Sequence, residues 1–307
     1  MFAAIVSVNN ARIKNAAQLK ESRARRKSGK FLVDGVREVH RAASSQFELL
    51  EVYWNAGDRI EADERVDFHR FFAEKQRRER HDAELLALLQ NLEERKIPVF
   101  PVSSAVFEKL SFGDRDERIV AVVRARLSTF ESLDVILNER RRRNGENPLV
   151  AVLEKVEKPG NFGAVLRSAD GAGVDAVVVA SDDFDVFNPN AVRASLGAIF
   201  HMPIIMASVE ETILWLRGKR LQRVLALCDD SVPYTQVDYA LPTAIVLGSE
   251  ADGLTDAWLE ETTDDVEGRL LQKVRLPMLG VVDSLNVSNA AAVFFYEARR
   301  RRIENSK

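Results

Sequence analysis

The sequence predicts an α/β protein with two domains, a small α/β domain followed by a domain built on a parallel sheet. Three observations support this prediction. The chain has 307 residues, which is enough for two domains of ordinary size. Hydrophobic residues make up 46% of it and charged residues 30%, as is typical of soluble globular proteins. In the second half, apolar runs without polar alternation recur between helical segments, which indicates a parallel sheet covered on both faces.

The smaller domain is expected over residues 1–126, where helical and strand-like segments alternate. Apolar spacing predicts one helix over 10–26, and the charged segment 58–94 has a leucine-rich face typical of a helix. The other predicted elements are strands at 31–35, 49–54, 98–102 and 119–123 and helices at 36–43 and 105–110. Residues 127–148 end in an arginine run followed by Asn-Gly-Glu-Asn-Pro, which is typical of a linker.

The larger domain is expected over residues 149–307. Its predicted elements are strands at 149–156, 176–180, 203–206, 224–228 and 243–247, a helix after the first strand, and a helix at 209–217. A last apolar run ends at Pro277, and a glycine loop leads from there into an apolar helix. Ligands of parallel sheets bind at the carboxyl ends of the strands, which is where the loops 248–253 and 277–286 fall.

The composition argues against several classes of protein. No apolar run approaches the length of a membrane span, and the N-terminus lacks a basic leader, so we expect no membrane association. The single cysteine, Cys228, fits a reducing cytoplasm, and with the four histidines it shows no metal-ligand spacing, so we expect no metal. The motifs Gly-x-x-x-x-Gly-Lys and Gly-x-Gly-x-x-Gly are missing, which argues against simple nucleotide hydrolases and nicotinamide enzymes.

Positive charge is concentrated near the N-terminus. Residues 1–50 hold ten Lys or Arg and four Asp or Glu, a net charge of +6, whereas the rest of the chain carries −9. A solvated helix face is the simpler explanation of such a run. Only Glu21 interrupts the run, however, so mutual repulsion favours a polyanionic partner such as nucleic acid. The RNA-binding residues expected here are Arg12, Lys14, Arg23, Arg25, Arg26 and Lys27.

Two stretches of the larger domain could bind a ligand. Asn161 is a favourable N-cap, and Arg167 lies less than two turns further along the same predicted helix. A helix N-terminus beside an arginine suits a phosphate, although a capped crossover helix with a surface arginine explains the same residues. The loop after Pro277 is likewise explained by a ligand on its backbone edges or by an ordinary helix cap at Asp283 or Ser284.

Three stretches, in this order and spacing, resemble the three motifs of the SpoU (TrmH-type) RNA ribose 2'-O-methyltransferases, which belong to the knotted SPOUT class. They are Pro159–Asp170, then Val246–Leu254 with its Gly-Ser-Glu-Ala-Asp-Gly, and Leu276–Met278 followed by Ser-Leu-Asn-Val-Ser at 284–288. The third is the most specific. The N-terminal stretches 10–14 and 31–39 resemble that family's RNA-substrate-binding domain, so the resemblance covers most of the chain.

The resemblance implies a deep trefoil knot, S-adenosylmethionine as cofactor, and a homodimer whose active sites use both subunits. Members of the family act on ribosomal or on transfer RNA, and the two-domain layout favours ribosomal RNA as the substrate. Arg167 would be the catalytic arginine, and Asn161 would position the ribose or phosphate. Glu250 would accept a hydrogen bond from Asn161 or Arg167 or orient its loop, and Arg193 would contact a second phosphate. The implied cofactor-binding residues are Leu247, Gly248, Gly253, Leu276, Met278, Ser284, Leu285 and Asn286.

Two alternatives of other classes are kept open. A non-catalytic ribosome-assembly factor could keep the fold and bind RNA, but it predicts erosion of the motifs, which are intact in this sequence. A methyltransferase acting on a base is disfavoured, because Asn161 and Arg167 occur together with Ser-Leu-Asn at 284–286.

Overall fold

The computed structural model describes residues 3–74, 82–112, 118–228, 231–260 and 270–305. These residues divide into two compact units. Unit 1 consists of Met1–Arg126 together with Phe187–Phe200, and unit 2 of Leu127–Val186 together with His201–Lys307. Each unit contains helices and a sheet of its own, so the predicted α/β class is confirmed.

Unit 1 is built on a four-stranded sheet. Its strands are β1 (Lys30–Asp34), β2 (Leu49–Asn55), β3 (Val99–Val102) and β4 (Ile119–Arg124). Its helices, numbered along the whole chain, are α1 (Ala11–Gln18), α2 (Ser22–Ser28), α3 (Val36–Ala43), α4 (Phe68–Glu74), α5 (Asp82–Glu94), α6 (Ser104–Leu110) and α9 (Pro189–Ala194). The sheet order is β1-β4-β2-β3, with β4 antiparallel to both neighbours and β2 parallel to β3.

The predicted helix over 10–26 is two helices, so that prediction was wrong. Helix α1 ends three residues before α2 begins. Arg25 explains the break, because its guanidinium is buried and its Nη1 donates to the carbonyl oxygens of Leu19 and Lys20, both at 2.7 Å. Carbonyl groups at the end of a helix have no partner within the helix, and here a side chain supplies one.

The charged segment predicted to be mostly helical contains α4 and α5, and residues 75–81 of it lie outside the described residues. The leucines at 85, 88, 89 and 92 are buried, which confirms the predicted packing face for these four positions. The apolar spacing along α5 was therefore sufficient to predict both the helix and the side that faces the core.

Residues Phe187–Phe200 belong to unit 1 although they come from the second half of the chain. The Phe187 ring stacks on Phe31 with centroids 4.4 Å apart, and Phe200 stacks on the same ring at 6.4 Å. Arg41 donates to the carbonyl oxygen of Leu196 at 2.8 Å. Aromatic packing and this hydrogen bond thus complete unit 1 with a segment that the sequence assigned to the larger domain.

Unit 2 is built on a seven-stranded sheet in which every described pair is parallel. Its strands are β5 (Leu149–Glu154), β6 (Ala176–Ala180), β7 (Ile204–Ala207), β8 (Gln222–Ala226), β9 (Val232–Pro233), β10 (Thr243–Leu247) and β11 (Leu271–Arg275). Its helices are α7 (Phe130–Asn144), α8 (Pro159–Ala172), α10 (Val209–Gly218), α11 (Asp256–Leu259) and α12 (Val287–Asn305). The sheet order is β7-β6-β5-β10-β8-β11-β9, so β5 and β10 are central neighbours.

Helix α7 occupies most of the stretch 127–148 that the sequence assigned to a linker. It begins with a capping box between Thr129 and Ser132. Leu133 and Leu137 are buried in the core of unit 2. The stretch is therefore a packed helix rather than a tether, because two apolar residues four positions apart face the sheet while its arginines face solvent.

Two arginines anchor helix α12, one at the end of α8 and the other at the starts of β5 and β10. Arg299 donates to the carbonyl oxygens of Ala172 and Gly173, at 2.8 and 2.9 Å, and so caps the end of α8. The buried guanidinium of Arg302 donates to the carbonyl oxygens of Tyr239, Asn147, Pro148 and Leu241. These carbonyls lie just before β5 and β10, so one side chain connects the last helix to the starts of both strands.

Among the helices that the structure describes, none could cross a membrane.

Candidate active site

A cavity of about 550 Å³ lies at the carboxyl end of β10. It is lined by the end of β8, the loop after β10, the loop after β11 and the first half of α12. Seven of the eight predicted cofactor-binding residues line it, namely Leu247, Gly248, Gly253, Leu276, Met278, Ser284 and Leu285. The position agrees with the rule that parallel sheets bind ligands beyond the carboxyl ends of their strands.

The loop after β10 is held in one shape by its own backbone. Ser249 and Gly253 exchange two backbone hydrogen bonds of 3.0 and 3.2 Å, and the Asp252 amide donates to Ser249 Oγ at 2.9 Å. A Cβ atom at Gly248 would lie 2.2 Å from the backbone carbon of Gly253, so no other residue fits there without a shift of the loop. Gly253 itself has a φ of +68°. This loop forms a preformed wall of the cavity.

A buried carboxylate fixes the base of that loop. Glu154, the last residue of β5, is fully buried. Its Oε2 accepts from the Thr255 amide at 2.9 Å, and its Oε1 accepts from the Thr255 hydroxyl at 2.6 Å. Both carboxylate oxygens are therefore bound by one residue, which directly follows the loop. Neither Glu154 nor Thr255 was predicted from the sequence.

Glu250 lies at the centre of a polar network beside the cavity. Its Oε1 accepts from Asn161 Nδ2 at 2.6 Å and from Asn286 Nδ2 at 2.7 Å, and its Oε2 accepts from Lys158 Nζ at 3.0 Å. The hydrogen bond from Lys158 is the main reason that the pKa of Glu250 lies below its ordinary value. The network joins one polar residue from each of the three sequence motifs, Asn161, Glu250 and Asn286.

Two predicted helix caps are placed differently by the structure. Asn161 does not cap α8, because Pro159 starts that helix and Lys158 occupies the cap position. The Asn161 amide is therefore free to donate to Glu250. The cap of α12 is Asn286, whose Oδ1 accepts from the Ser288 amide at 3.0 Å, rather than Asp283 or Ser284.

Lys158 was missed by the sequence reasoning. The available signal was a cation directly before the proline that begins a helix, four positions after the end of a buried strand. Such a lysine is usually read as a solvated charge, and only its position opposite Glu250, 92 residues away, gives it a role.

Arg167 takes no part in the hydrogen bonds of this network. Arg167 is exposed on α8 and does not line the cavity described above. Within the described ranges its guanidinium has no hydrogen-bond or ion-pair partner, so it can bind a group from outside the chain. Arg193 is in unit 1, where its Nη1 donates to the carbonyl oxygen of Phe112 at 3.1 Å.

The predicted RNA-binding residues of unit 1 divide into two kinds. Arg25 is buried and holds the α1–α2 junction, so we leave it out of the RNA-binding set. The other five are exposed, namely Arg12, Lys14, Arg23, Arg26 and Lys27. Arg12 is also held in place, since it pairs with Glu51 and its guanidinium lies 4.6 Å from the centre of the Phe100 ring.

The lining and the volume of the cavity fit an organic ligand. Within the described ranges, no cluster of three or more His, Cys, Asp or Glu side chains could hold a metal ion. The cavity is lined by both apolar side chains and polar loop groups, and its volume is within the range of about 300–1,000 Å³ usual for small-molecule sites.

Family models match both halves of the chain. Residues 148–296 match the SpoU rRNA Methylase family, and residues 10–121 match the MRM3-like substrate binding domain. The first match contains the cavity and the Glu250 network. The second contains the basic helices α1 and α2.

Curated relatives have similar sequences. The chain is 31% identical over 203 residues to the 23S rRNA (uridine(2479)-2'-O)-methyltransferase of Streptomyces viridochromogenes, covering 63% of this chain and 65% of that protein, slightly less than two thirds of its length. It is 34% identical over 237 residues to the 23S rRNA (guanosine-2'-O-)-methyltransferase RlmB of Bordetella pertussis, covering 73% of this chain and 86% of that protein.

Solved structures have the same fold over nearly the whole chain. A structure titled RNA 2'-O ribose methyltransferase is 32% identical with a TM-score of 0.73 and covers 98% of this chain and 99% of that one. An AdoMet-bound rRNA methyltransferase from Sinorhizobium meliloti, at 23% identity, shares the fold with a TM-score of 0.77 and covers 97% of both chains. Together with the sequence relatives, these matches show that the chain belongs to the SpoU rRNA methylase family.

Proposed function

We propose that this protein transfers a methyl group from S-adenosylmethionine to a ribose 2'-hydroxyl of ribosomal RNA. The observation that carries the proposal is the Glu250 network, which joins Asn161, Glu250 and Asn286 beside the cavity at the end of β10. The similarity to two 23S rRNA 2'-O-methyltransferases supports the reaction and the substrate class. Residues 1–126 are proposed to bind RNA, and residues 149–307 to carry out the transfer.

The cavity suits S-adenosylmethionine. Leu247, Leu276 and Met278 provide apolar side chains, and the preformed loop after β10, with its glycines at 248 and 253, lines the same cavity. Ser284 and Leu285 lie on the opposite loop and would close over the cofactor. When bound, the cofactor supplies a methyl group activated by an adjacent sulfonium.

The reacting 2'-hydroxyl must lose its proton as the new bond to carbon forms. Arg167 cannot accept this proton, because a guanidinium stays protonated at any ordinary pH. Its proposed role is to bind the neighbouring phosphate and to stabilise the negative charge that develops on the 2'-oxygen. Glu250 already accepts hydrogen bonds from Asn161, Asn286 and Lys158. Its proposed role is to hold the amide groups of Asn161 and Asn286 in place for the ribose.

The position of Arg167 supports a homodimeric active site. Because Arg167 does not line the cavity of its own chain, we propose that it acts at the cavity of a second copy. Apolar side chains on the loop beside the cavity support the same assembly, since Leu279 is 97% exposed and Val282 58%. On α12, Val293 and Tyr296 are exposed as well. A second copy covering these side chains would remove them from water.

Two further parts of the proposal concern the chain path and the compartment. We propose that the chain forms a trefoil knot, and the return of α12 from β11 to pack on α8 supports this path. We also propose that the protein works in the cytoplasm, where the reduced state of the exposed Cys228 is maintained.

The proposal is tested by methyl transfer from radiolabelled S-adenosylmethionine to separated ribosomal and transfer RNA from cells that lack the gene. We expect label in ribosomal RNA, and Arg167→Ala should reduce the rate by about 10²–10³-fold while the cofactor Kd stays within about twofold. Label only in transfer RNA would change the substrate class. If the protein binds the cofactor but transfers no methyl group to ribosomal RNA, to transfer RNA or to ribosome-assembly intermediates, the non-catalytic assembly factor is favoured.

A further inference from the structure

Unit 1 contains a concavity of about 680 Å³ that is separate from the cofactor cavity. It lies between α1 and α2 over the face of β1, β2 and β4, and we name it the α1–α2 concavity. Its volume is within the range of about 300–1,000 Å³ that small-molecule sites usually have. It is therefore large enough to hold a single nucleotide.

The floor of the α1–α2 concavity is apolar. Leu19 and Val122 are buried beneath it, Leu50 packs partly exposed on the same core, and Ala24 of α2 forms one side. An aliphatic surface of this kind accepts the flat face of a base. Because each of these side chains is small or already fixed by the core, the floor would not have to rearrange.

The rim of the concavity is cationic. Arg12, Lys27 and Lys30 line it, and Glu51 is the one acidic side chain among the described lining residues. Glu51 is neutralised by its ion pair with Arg12 and also accepts a hydrogen bond from the Tyr53 hydroxyl. In the part of the chain that the structure describes, neither Lys27 nor Lys30 has an acidic partner, so both ammonium groups are available to a phosphate.

Two amides complete the rim. Asn15 and Gln18 are exposed and line the concavity from α1. They are three residues apart and so lie on the same face of the helix. An amide group both donates and accepts hydrogen bonds, which is what the edge of an unpaired base requires.

We propose that the α1–α2 concavity binds one nucleotide of single-stranded RNA, with the base on the apolar floor and a phosphate at Lys27 and Lys30. The inference rests on the proposed function, because it assigns a specific nucleotide site to the RNA substrate. A paired base cannot enter, since its faces are stacked and its edge is occupied in the duplex. The concavity therefore selects an unpaired or extruded nucleotide, whereas exposed cations elsewhere on unit 1 attract RNA of any structure.

The first test fills the concavity without changing charge. Binding of a fluorescent single-stranded oligouridylate of about ten nucleotides and of an RNA duplex is measured by anisotropy with the full-length protein. Ala24→Trp should weaken single-strand binding by about tenfold and duplex binding by less than about twofold, since the lost contact is one base. Ala11→Trp, at the exposed start of α1 and outside the concavity, is the matched control and should leave both affinities unchanged.

The second test removes charge. Lys27→Gln with Lys30→Gln should lower single-strand affinity and reduce the slope of log Kd against log salt by about 0.7, the value for one phosphate contact on a single strand. Lys14→Gln with Arg23→Gln removes the same amount of charge from α1 and α2, outside the concavity. This control should weaken single-strand and duplex binding equally.

If Ala24→Trp binds the single strand with wild-type affinity, the proposal is overturned. This holds even if removal of charge weakens binding, because the phosphates would then bind only to an open surface. Methyl transfer by the wild type is assayed in the same series. If the wild type transfers the methyl group but Ala24→Trp does not change single-strand binding, the nucleotide site alone is rejected. If Ala24→Trp weakens single-strand binding but the wild type transfers no methyl group, the methyltransferase function alone is rejected.

Discussion

At the scale of single residues, Glu250 connects the sequence motifs. Its carboxylate accepts from side chains that are 92, 89 and 36 residues away along the chain. The sequence alone predicted a hydrogen bond between Asn161 and Glu250 as one option, because the resemblance placed both in conserved motifs of the family. It could not predict Lys158, since a lysine before a helix is most often solvated.

Lys158→Met should raise the pKa of Glu250 toward its ordinary value. In the folded protein this pKa is lowered, chiefly by the Lys158 hydrogen bond, so ionised Glu250 stabilises the fold above its unfolded pKa and this contribution is lost as the pH falls through the folded pKa. In the variant the loss should occur at higher pH. Carbon-13 NMR of labelled glutamate carboxyls measures the pKa directly.

Lys219→Met is the matched control, because Lys219 pairs with Asp134 at 2.7 Å away from the network. It should leave the pKa of Glu250 unchanged. An unshifted Glu250 pKa in Lys158→Met would contradict the role given to Lys158.

At the scale of elements, most helices and strands followed from apolar spacing, and the exceptions have identifiable causes. The break between α1 and α2 depends on the buried Arg25, whose charge suggested a solvent-facing position. Helix α7 was assigned to a linker because four consecutive arginines and a following Gly and Pro concealed Leu133 and Leu137. The Glu154–Thr255 contact joins residues 101 positions apart and leaves no local pattern.

Thr255→Val should weaken cofactor binding through the loop after β10. The change leaves Oε1 of the buried Glu154 without its hydroxyl donor, which should lower the free energy of unfolding by about 1–3 kcal/mol. Because Thr255 fixes the end of the loop, we also expect the Kd for S-adenosylmethionine to rise about tenfold. This Kd is measured at a temperature well below the melting temperature of the variant. Calorimetric titration and thermal unfolding measure the two effects.

Thr212→Val is the control for a buried threonine hydroxyl, since Thr212 bonds to the Ser208 carbonyl at 2.7 Å in α10 of the same unit. It should reduce stability without changing the cofactor Kd, and Thr255→Ser should restore wild-type binding. If Thr255→Val and Thr212→Val bind the cofactor equally well, Glu154 only stabilises the fold.

At the scale of the whole molecule, the α/β class and the family were both predictable. The three spaced motifs and the alternation of strands and helices can be recognised in a single sequence. The incorporation of Phe187–Phe200 into unit 1 was not predictable. It depends on ring contacts between Phe31 and residues more than 150 positions later, for which the sequence has no local signal.

The proposed homodimer predicts complementation between two inactive variants. Arg167→Ala removes the proposed catalytic arginine, and Ser284→Trp fills the cofactor cavity from an exposed loop position. If Arg167 acts on the cavity of the other copy, mixed dimers carry one intact site, and an equal mixture should recover about a quarter of wild-type transfer. If Arg167 acts within its own chain, neither subunit of the mixed dimer has an intact site, and no transfer should be recovered. A double variant co-assembled with wild type gives the converse result.

In that second experiment, a chain carrying both changes is mixed with a wild-type chain. With Arg167 acting across the dimer, neither site of the mixed dimer is intact, and transfer per mixed dimer should be lost. With Arg167 acting within its chain, the wild-type site remains active. Transfer by mixed dimers of the double variant would therefore contradict the shared active site.

The most direct test of the central claim identifies the atom that receives the methyl group. Ribosomal RNA from cells lacking the gene is methylated by the purified protein, digested to nucleosides and analysed by mass spectrometry. We predict one 2'-O-methylated nucleoside, with the added mass on the ribose fragment, and its absence with Arg167→Ala. A methyl group on the base fragment, or no methylation by a protein that binds S-adenosylmethionine, would contradict the account.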